Sequence, residues 1–166
     1  QNGTVTWEVD LTGRYINLSD ATFATAQYRP EELTLRTHFY DLHPEKGREE
    51  FKVKMLGYLE KGEPFRNVLH PVTTKSGGIA WFVSSSIPLR NAQGNLRGAW
   101  GTSTDITERI RAEDARRESE RKYRILTETM KDVVWIVDVD TLRFLYISPS
   151  VEKLLGYIPE EVKRGT

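Results

Sequence analysis

Histidines and nearby carboxylates are the side chains most able to bind a metal in this chain. The three histidines are His38, His43 and His70. Asp41 and Glu45 lie near two of them, and a divalent metal would need such carboxylates to converge with the imidazoles. His43 is better explained as part of a capped turn in front of a long helix, because Pro44 follows it directly. We therefore predict no metal site.

Two pairs of adjacent glutamates are the best candidates for acid–base chemistry. The pairs are Glu31/Glu32 and Glu49/Glu50. Consecutive residues on a helix point about 100° apart, so neither pair can act as an acid–base couple on one substrate. Gly77-Gly78 is too short for a phosphate-binding loop, and the absence of cysteine removes thiolate nucleophiles. We predict that this chain is not an enzyme.

Charge and hydropathy exclude further classes of function. The 166 residues include 24 basic and 24 acidic side chains, so their charges cancel. The chain therefore lacks the excess of positive charge that is typical of a nucleic-acid-binding protein. No apolar run approaches the length of a membrane-spanning helix, so no membrane contact is expected in this fragment. A chain without cysteine fits a reducing compartment, and we expect it to be cytoplasmic. Because Gln1 is not an initiator methionine, we expect a longer parent protein that could carry an anchor upstream.

Comparison of the chain with itself reveals an internal repeat. Val5–Asp10 returns as Val133–Asp138 with four identities in six positions. After a one-residue insertion, Leu18–Thr37 aligns with Ile147–Thr166 with six identities in twenty positions. Ten identities in 26 positions far exceed a chance match. Residues 132–166 are therefore predicted to be the truncated beginning of a second copy.

The elements that position these residues follow from periodicity and turn signals. Strand patterns, short capped helices and one longer amphipathic helix alternate in a β-β-α-α-α-β-β-β order. This order predicts an α+β fold, in which an antiparallel five-stranded sheet has its helices on one face. The predicted strands are Thr4–Asp10, Arg14–Leu18, Phe65–Thr73, Ile79–Leu89 and Asn95–Thr104, and the helices begin near Ser19, Pro30 and Pro44, the last ending at Lys61.

The middle strand of the last three carries an apolar stripe. Trp81, Val83, Ile87 and Leu89 share one face, which only Ser85 interrupts. Such alternation is typical of a strand with one covered side. We expect this stripe to face the helices.

A highly charged segment follows the last strand. Residues 105–131 contain seven acidic and eight basic residues and neither glycine nor proline. Pairs such as Glu113/Arg117, Glu118/Lys122 and Glu120/Arg124 have the favourable i,i+4 spacing of an exposed helix. A thin seam could pair with another helix as a dimeric coiled coil, and the sequence leaves that alternative open. The seam consists of Ala112, Ala115, Ser119, Leu126 and Met130.

The start of this helix fits a capping box. Asp105 would be the N-cap and Glu108 would occupy the third helical position and bond back to the N-cap backbone. The prediction places a helix start directly after the last strand.

These residues together resemble a PAS domain with its C-terminal PAC motif, the sensory unit of bacterial signalling proteins. The resemblance covers residues 4 to 109 and resumes near residue 120. Gln27 and Leu35 stand where the family usually has glycine. The matching features are Trp7-Glu8-Val9-Asp10, Tyr28-Arg29-Pro30-Glu31-Glu32, Asp41-Leu42-His43-Pro44-Glu45, Lys75-Ser76-Gly77 before Trp81, and Asp105-Ile106-Thr107-Glu108-Arg109.

The resemblance implies a pocket between the sheet and its helices. In this family such a pocket holds haem, flavin, a small organic molecule or nothing. This chain has no cysteine for a flavin adduct and no histidine on the helix from Pro44 to Lys61 for haem, so the cofactor is unknown and none is required. The expected ligand contacts are Phe23, Tyr28, Phe51, Met55 and Trp100, whereas Trp7 and Trp135 are expected to be packing residues.

The resemblance also implies a signalling function. A sensor domain (1–106) would detect a small ligand or partner and relay the change through a helical linker (107–131) to an output domain outside this chain. A histidine kinase of a two-component system or a diguanylate cyclase would carry any enzymatic activity. The relay residues would be Asp105, Thr107, Glu108 and Arg109. The alternative is a ligand-free interaction scaffold, and a homodimer is expected because the truncated second domain (132–166) has an open strand edge.

Overall fold

The computed structural model describes residues 3–129 and 132–164. The chain divides into two compact units, Gln1–Ile110 and Arg111–Thr166. Each unit is described separately below.

The first unit is built on a five-stranded antiparallel sheet, which confirms the predicted fold class. The strand order is β2-β1-β5-β4-β3, so the first and last strands of the unit are paired at its centre. The strands are β1 Thr4–Asp10, β2 Tyr15–Leu18, β3 Phe65–Thr73, β4 Ile79–Arg90 and β5 Leu96–Asp105. The helices are α1 Ala21–Ala26, α2 Pro30–Leu33 and α3 Arg48–Lys61, with a 3₁₀ turn at Phe39–Leu42.

The helical segment packs against one face of this sheet. One buried cluster joins the short helices and the 3₁₀ turn to the sheet, and it includes Val5, Leu18, Ala26, Leu33, Leu42, Val72, Ala80 and Phe82. A second cluster joins Leu59 of α3 to Val9 and Ala99 of the central strands. The core therefore lies between a single helical layer and the inner face of the sheet.

The face of β4 that meets the helices is the opposite of the predicted one. Ala80, Phe82, Ser84 and Ser86 are buried, whereas Ile87 is 54% exposed. The sequence signal failed because two serines occupy the inner face and break its apolar pattern, while the larger apolar side chains line the outer face. This reversal changes which residues can reach the interior.

The long helix α3 begins four residues later than predicted. Pro44 does not open it, because the chain turns first and Gly47 adopts a left-handed conformation with φ 86° in front of Arg48. The helix ends as predicted, with Gly62 in the left-handed conformation after Lys61.

Helix α4 (Thr107–Thr129) follows β5 directly and continues into the second unit. The predicted ion pairs Glu113–Arg117 and Glu118–Lys122 form, at 3.1 Å and 3.8 Å. Glu120 pairs with Arg116. The predicted seam residue Met130 lies outside the described residues.

The rest of the second unit is a small hairpin followed by two short helices. The strands β6 Trp135–Val137 and β7 Phe144–Ile147 form a two-stranded antiparallel sheet. The helices are α5 Ser150–Leu155 and α6 Pro159–Arg164. Across the described parts of both units, no helix is long and apolar enough to cross a bilayer.

Candidate functional site

A cavity of about 40 Å³ lies between α3 and the inner face of the sheet. Phe51, Met55 and Leu59 of α3 form one wall. The other lining residues come mostly from the strands and the 3₁₀ turn, and they are Trp7, Val9, Tyr15, Phe39, Phe65, His70, Ser84, Ala99 and Ser103. The site is therefore an apolar, aromatic space with a few polar groups on the strand side.

A second cavity of about 40 Å³ lies on the side of the short helices α1 and α2. Thr22, Ala26 and Leu33 supply its helical wall. The two cavities share four lining residues, which are Trp7, Tyr15, His70 and Ser103. These four side chains form the partition between the two spaces.

A chain of hydrogen bonds crosses the sheet at this partition. The Trp7 indole N–H donates to Ser103 Oγ at 2.8 Å. Ser103 Oγ lies 2.6 Å from Ser84 Oγ, and Ser84 Oγ lies 2.7 Å from Nε2 of His70. The chain links β1, β5, β4 and β3 in the order in which these strands are paired, and we call it the cavity network.

His70 ends the cavity network and is held within an aromatic stack. Its ring stacks on Phe51 with centroids 5.0 Å apart, and Phe51 stacks in turn on His43 at 4.7 Å. Burial lowers the pKa of His70 to about 4, with a further lowering by His43 and an opposing hydrogen bond to the Pro71 backbone. The imidazole is therefore neutral at physiological pH.

Tyr15 supplies the other notable polar group of the site. Burial raises the pKa of its phenol, and the negative charge of Asp41 adds to that shift. The phenol therefore stays neutral. Within the part of the chain that the structure describes, no side chain or backbone group is hydrogen-bonded to its hydroxyl.

Of the five ligand contacts expected from the sequence, two line a cavity. Phe51 and Met55 line the space under α3. Tyr28 packs against the hydrophobic cluster of the short helices.

Phe23 and Trp100 do not line the cavity, which corrects the expectation. Phe23 is 56% exposed, because Thr22 and Ala26 form the buried side of α1. Trp100 is 41% exposed on the outer face, because its neighbours Ala99 and Gly101 point inward.

Several cavity residues were missed by the sequence analysis. The expectation for Trp7 is a packing residue, whereas the structure shows its indole N–H as the donor of the cavity network. Its alternation with Val5 and Val9 could have placed it on the inner face of β1. The sequence does not mark Ser84 and Ser103 as cavity residues, because serine is common on exposed strands. The predicted inner face of β4 was also the wrong one, so it did not include Ser84.

The ring of Trp7 lies against a position that only glycine can occupy. A Cβ atom on Gly101 would lie 2.3 Å from the Trp7 ring and 2.5 Å from the carbonyl oxygen of Ser85. Gly101 is the residue directly opposite Trp7 in the β1–β5 pair. Because Gly101 has no side chain, the indole can lie over its backbone and reach Ser103.

The start of α4 is fixed by a second group of hydrogen bonds, which we call the joint. Asp105 Oδ1 accepts the backbone N–H of Thr107 at 2.8 Å and also its hydroxyl. The Thr107 hydroxyl accepts the backbone N–H of Trp81 at 2.8 Å. The N–H of Ile106 donates to the carbonyl of Trp81 at 2.8 Å. Trp81 of β4 is therefore bonded on both sides to the residues that open the helix.

The register of the predicted capping box is off by one residue. The first helical bond runs from the N–H of Ile110 to the carbonyl of Ile106, so Ile106 is the N-cap. Asp105 is still the last residue of β5. Glu108 and Arg109, the other expected relay residues, are exposed, whereas Thr107 is buried.

The described residues contain no cluster of three or more histidine, aspartate or glutamate side chains that could hold a metal. The polar side chains that line the cavity, Tyr15, His70, Ser84 and Ser103, are neutral groups among aromatic residues.

Comparison with protein families gives one match to the first unit. Residues 2–111 match the family described as PAS fold. An uncharacterised protein of Sinorhizobium fredii, y4lL, is 25% identical over 132 residues. The chain spans 16% of the length of that relative.

Solved structures from three bacteria have a similar fold. A sensory box histidine kinase/response regulator of Burkholderia thailandensis is 26% identical with a TM-score of 0.54, covering 74% of this chain and 92% of that one. The PAS domain of a Colwellia psychrerythraea protein is 21% identical with a TM-score of 0.56, covering 63% and 87%. The N-terminal domain of a diguanylate cyclase with PAS/PAC sensor from Marinobacter aquaeolei is 12% identical with a TM-score of 0.56, covering 64% and 98%.

Proposed function

Because the chain belongs to the PAS fold family, we propose that its first unit is a sensory signalling module that responds to a small molecule in the cavity. The response passes to the start of α4 and from there to an output domain outside this chain. Relatives of similar fold belong to a histidine kinase and to a diguanylate cyclase, and either kind of output would suit the proposal. The module itself would be non-catalytic and cytoplasmic.

The observation that carries this proposal is that the cavity network and the joint share two paired strands. Ser84 lies three residues after Trp81 on β4, and Ser103 lies two residues before Asp105 on β5. Ser84 and Ser103 are also direct partners in the β4–β5 register. A change in the bond between them therefore acts on the two strand ends that hold the first turn of α4.

A ligand can shift this joint only if it binds two states of the module with different affinity. A molecule that enters the cavity and moves the Trp7 indole or the His70 ring would break a link of the cavity network. A state in which the link is broken would then gain stability relative to the state described here. Asp105 and Thr107 relay that difference, because their hydrogen bonds join β5, β4 and α4.

Nuclear magnetic resonance on the purified chain tests this function. A panel of small metabolites is added while the Trp7 indole N–H and the Ile106 amide are observed, with the Trp7 signal assigned from a Trp7→Phe variant. A ligand should shift both resonances and leave the indole of Trp100, on the opposite face, unchanged. Native mass spectrometry should also detect a bound small molecule. A panel and a mass spectrum without any binder would reject the sensor.

A ligand-free dimerisation scaffold is the second candidate, and the outer face of the sheet favours it. Leu69, Ile87 and Trp100 are all more than two-fifths exposed there, and exposed apolar patches often mark interfaces. In that case sedimentation should show a dimer that an Ile87→Lys variant dissociates, with no ligand effect on α4. A monomer at high concentration would reject the scaffold.

We also propose that residues 132–164 begin a second unit of the same fold. Trp135 pairs with Ile147 as Trp7 pairs with Leu18. Both hairpins have a register irregularity after the next residue, at Ile136/Val137 and at Glu8/Val9. The repeat in the sequence is thus matched by the same strand pairing.

The hydrogen bonds that follow each hairpin are repeated as well. Ser148 accepts the N–H of Val134 through Oγ at 2.9 Å, as Ser19 accepts the N–H of Thr6 at 3.0 Å. Glu161 accepts the N–H of Ile158, as Glu32 accepts the N–H of Arg29. Side chains that are identical in the two copies therefore form equivalent bonds, which supports a tandem arrangement.

A further inference from the structure

We propose that the cavity selects a small, uncharged molecule with one hydroxyl group on an aromatic ring, and that the Tyr15 hydroxyl is the group that recognises it. This inference rests on the proposed sensory function of the first unit and adds the chemical class of its ligand. The observation behind it is the juxtaposition of an uncommitted phenol, a neutral hydrogen-bond network and aromatic walls.

The absence of charge in the lining argues for an uncharged ligand. None of the twelve residues that line the cavity is a lysine, arginine, aspartate or glutamate. The two titratable residues, Tyr15 and His70, are held in their neutral forms. A charged molecule would lose its hydration without gaining a counter-charge among the lining residues, which is strongly unfavourable.

The aromatic side chains argue for a ring. Trp7, Phe39, Phe51 and Phe65 all line the space, and the Trp7 and Phe65 rings are stacked with centroids 6.3 Å apart. Aromatic side chains pack favourably on other rings in stacked or edge-to-face arrangements.

The volume sets the size of the ligand. Each cavity of about 40 Å³ has room for roughly three water molecules. Because the two spaces share Trp7, Tyr15, His70 and Ser103 as lining residues, we expect a rotation of the Trp7 or His70 ring to join them. The joined space of about 80 Å³ is about half of the roughly 150 Å³ that accommodates benzene in an apolar cavity. A ligand with one ring therefore also requires the cavity walls to move outward, and it would favour an expanded state of the unit.

The polar groups of the site assign the contact to Tyr15. The side chains of Trp7, Ser103, Ser84 and His70 are already bonded to one another. The Tyr15 hydroxyl has no such bond within the described residues, although Tyr15 lines both cavities. A ligand hydroxyl can therefore bond to Tyr15 without competing for the groups that form the network.

The test compares four probe molecules of similar size by titration of the purified chain. Phenol has the proposed ring and hydroxyl, toluene lacks the hydroxyl, and benzoate and benzylammonium each carry a charge. Binding is followed by the Trp7 indole resonance and by calorimetry. Phenol should bind at least tenfold more tightly than each of the other three.

A Tyr15→Phe variant isolates the recognising group, because it removes the hydroxyl and keeps the ring. Its affinity for phenol should fall about tenfold, the usual effect of one lost hydrogen bond, while its affinity for toluene stays the same. Tyr58→Phe, on α3 outside the cavity lining, serves as the matched control and should leave both affinities unchanged.

Each contrary result has a defined meaning. Equal phenol affinity in the Tyr15→Phe variant and the original chain would overturn the role of Tyr15. Preferential binding of benzoate or benzylammonium, with a shift of the Trp7 indole, would overturn the ligand class and leave the sensory function standing. Failure of all four probes would also overturn the ligand class, whereas the metabolite panel described above decides the sensory function separately.

Discussion

Gln27 and Leu35 are two of the four described non-glycine residues with a left-handed backbone, a conformation that glycine adopts more easily; the others are Asn67 and Leu142. The φ angles of Gln27 and Leu35 are 67° and 59°, both in the left-handed region. The domains that this chain resembles usually have glycine at these positions, and here the two side chains bear the steric cost of the left-handed backbone. Gln27 offsets part of that cost, because its Oε1 accepts the N–H of Ser76 at 3.1 Å.

Leu35 has no comparable compensation, so replacing it should stabilise the protein. Leu35 is 62% exposed, and little packing would be lost on substitution. We expect Leu35→Gly to raise the free energy of unfolding by about 0.5–1 kcal/mol, the relief of left-handed strain less the extra entropy of glycine in the unfolded chain. Urea unfolding measures the change. Leu69→Gly, at an exposed strand position, should lower the stability instead, and equal effects of both variants would contradict the argument.

His70 should make stability depend on pH between its two pKa values. Burial lowers its pKa in the folded chain from 6.5 to about 4. Between these values the unfolded chain binds a proton that the folded chain does not, so the free energy of unfolding falls as the pH decreases from 6.5. Above pH 6.5 His70 is neutral in both the folded and the unfolded chain, so none of the free energy of unfolding is lost there. Unfolding at a series of pH values should show this slope, and His70→Gln should reduce it between pH 5 and 6.5.

A variant at a histidine outside the cavity gives the matched control. His38 is partly exposed beside Asp41, and His38→Gln should retain the slope attributed to His70. If the slope survives in His70→Gln, another group is responsible for it.

The residues of the site were only partly predictable from the sequence. Phe51 and Met55 were found because helical spacing marks a buried face without reference to the rest of the chain. Ser84 and Ser103 could not be found, since their role comes from facing each other across two strands whose pairing the local sequence does not specify. Trp100 was wrongly expected to contact a ligand, because a large aromatic residue can also lie on the outer face of a sheet.

The joint between the sheet and α4 was also only partly predictable from the local sequence. The sequence placed the helix start one residue before the observed one, because Asp105 and Thr107 are strong cap-forming residues. It did not indicate that Trp81 of β4 bonds to both Ile106 and Thr107. The bond partners of a helix end depend on which strand lies beside it, and that is a property of the sheet.

Thr107 should therefore be the most sensitive residue of the joint. Thr107→Val keeps the shape of the side chain and removes a buried hydroxyl that bonds to Asp105 and Trp81. We expect a loss of about 1–3 kcal/mol in the free energy of unfolding, since the Trp81 N–H is left without a partner. Thr102→Val, in the preceding strand β5, is the control and should have little effect. If Thr107→Val lowers the free energy of unfolding no more than Thr102→Val does, the hydrogen bonds of the joint do not stabilise the fold.

The close approach of β1 and β5 at Gly101 leads to a prediction with a clear control. Gly101→Ala would place Cβ 2.3 Å from the Trp7 ring. Overpacking of this kind costs about 1–3 kcal/mol, and the Trp7 indole resonance should shift as the ring moves away from Ser103. Gly57→Ala in α3 meets no atom within 4 Å and should instead stabilise by about 0.5–1 kcal/mol. An unchanged indole resonance in Gly101→Ala would contradict the described packing.

At the scale of the whole molecule, the second unit exposes residues whose counterparts in the first unit are buried or partly buried. Trp135 and Leu155 are 58% and 61% exposed, whereas Trp7 packs against the core and Ala26 is buried. A two-stranded hairpin alone is only marginally stable in water. The expected homodimer would supply the missing cover.

Hydrogen exchange at two protein concentrations tests that expectation. Amides of β6 and β7 should be less protected than those of β1 and β2, and their protection should rise with concentration as copies associate. The amides of β1 and β2 provide the internal control, because their protection should not change. Protection of β6 and β7 that is independent of concentration, together with a monomer in sedimentation, would rule out the dimer.

The strand order of the first unit has a consequence for how the protein is made. β1 and β5 are adjacent at the centre of the sheet, and Thr4 pairs with Thr104. During synthesis the ribosome therefore releases β1 long before its main partner exists, and the hairpin of β1 and β2 must wait with an open edge until β5 leaves the exit tunnel. A fold with such distant contacts forms slowly and late. The first unit therefore cannot complete its sheet until Leu96–Asp105 has emerged from the ribosome.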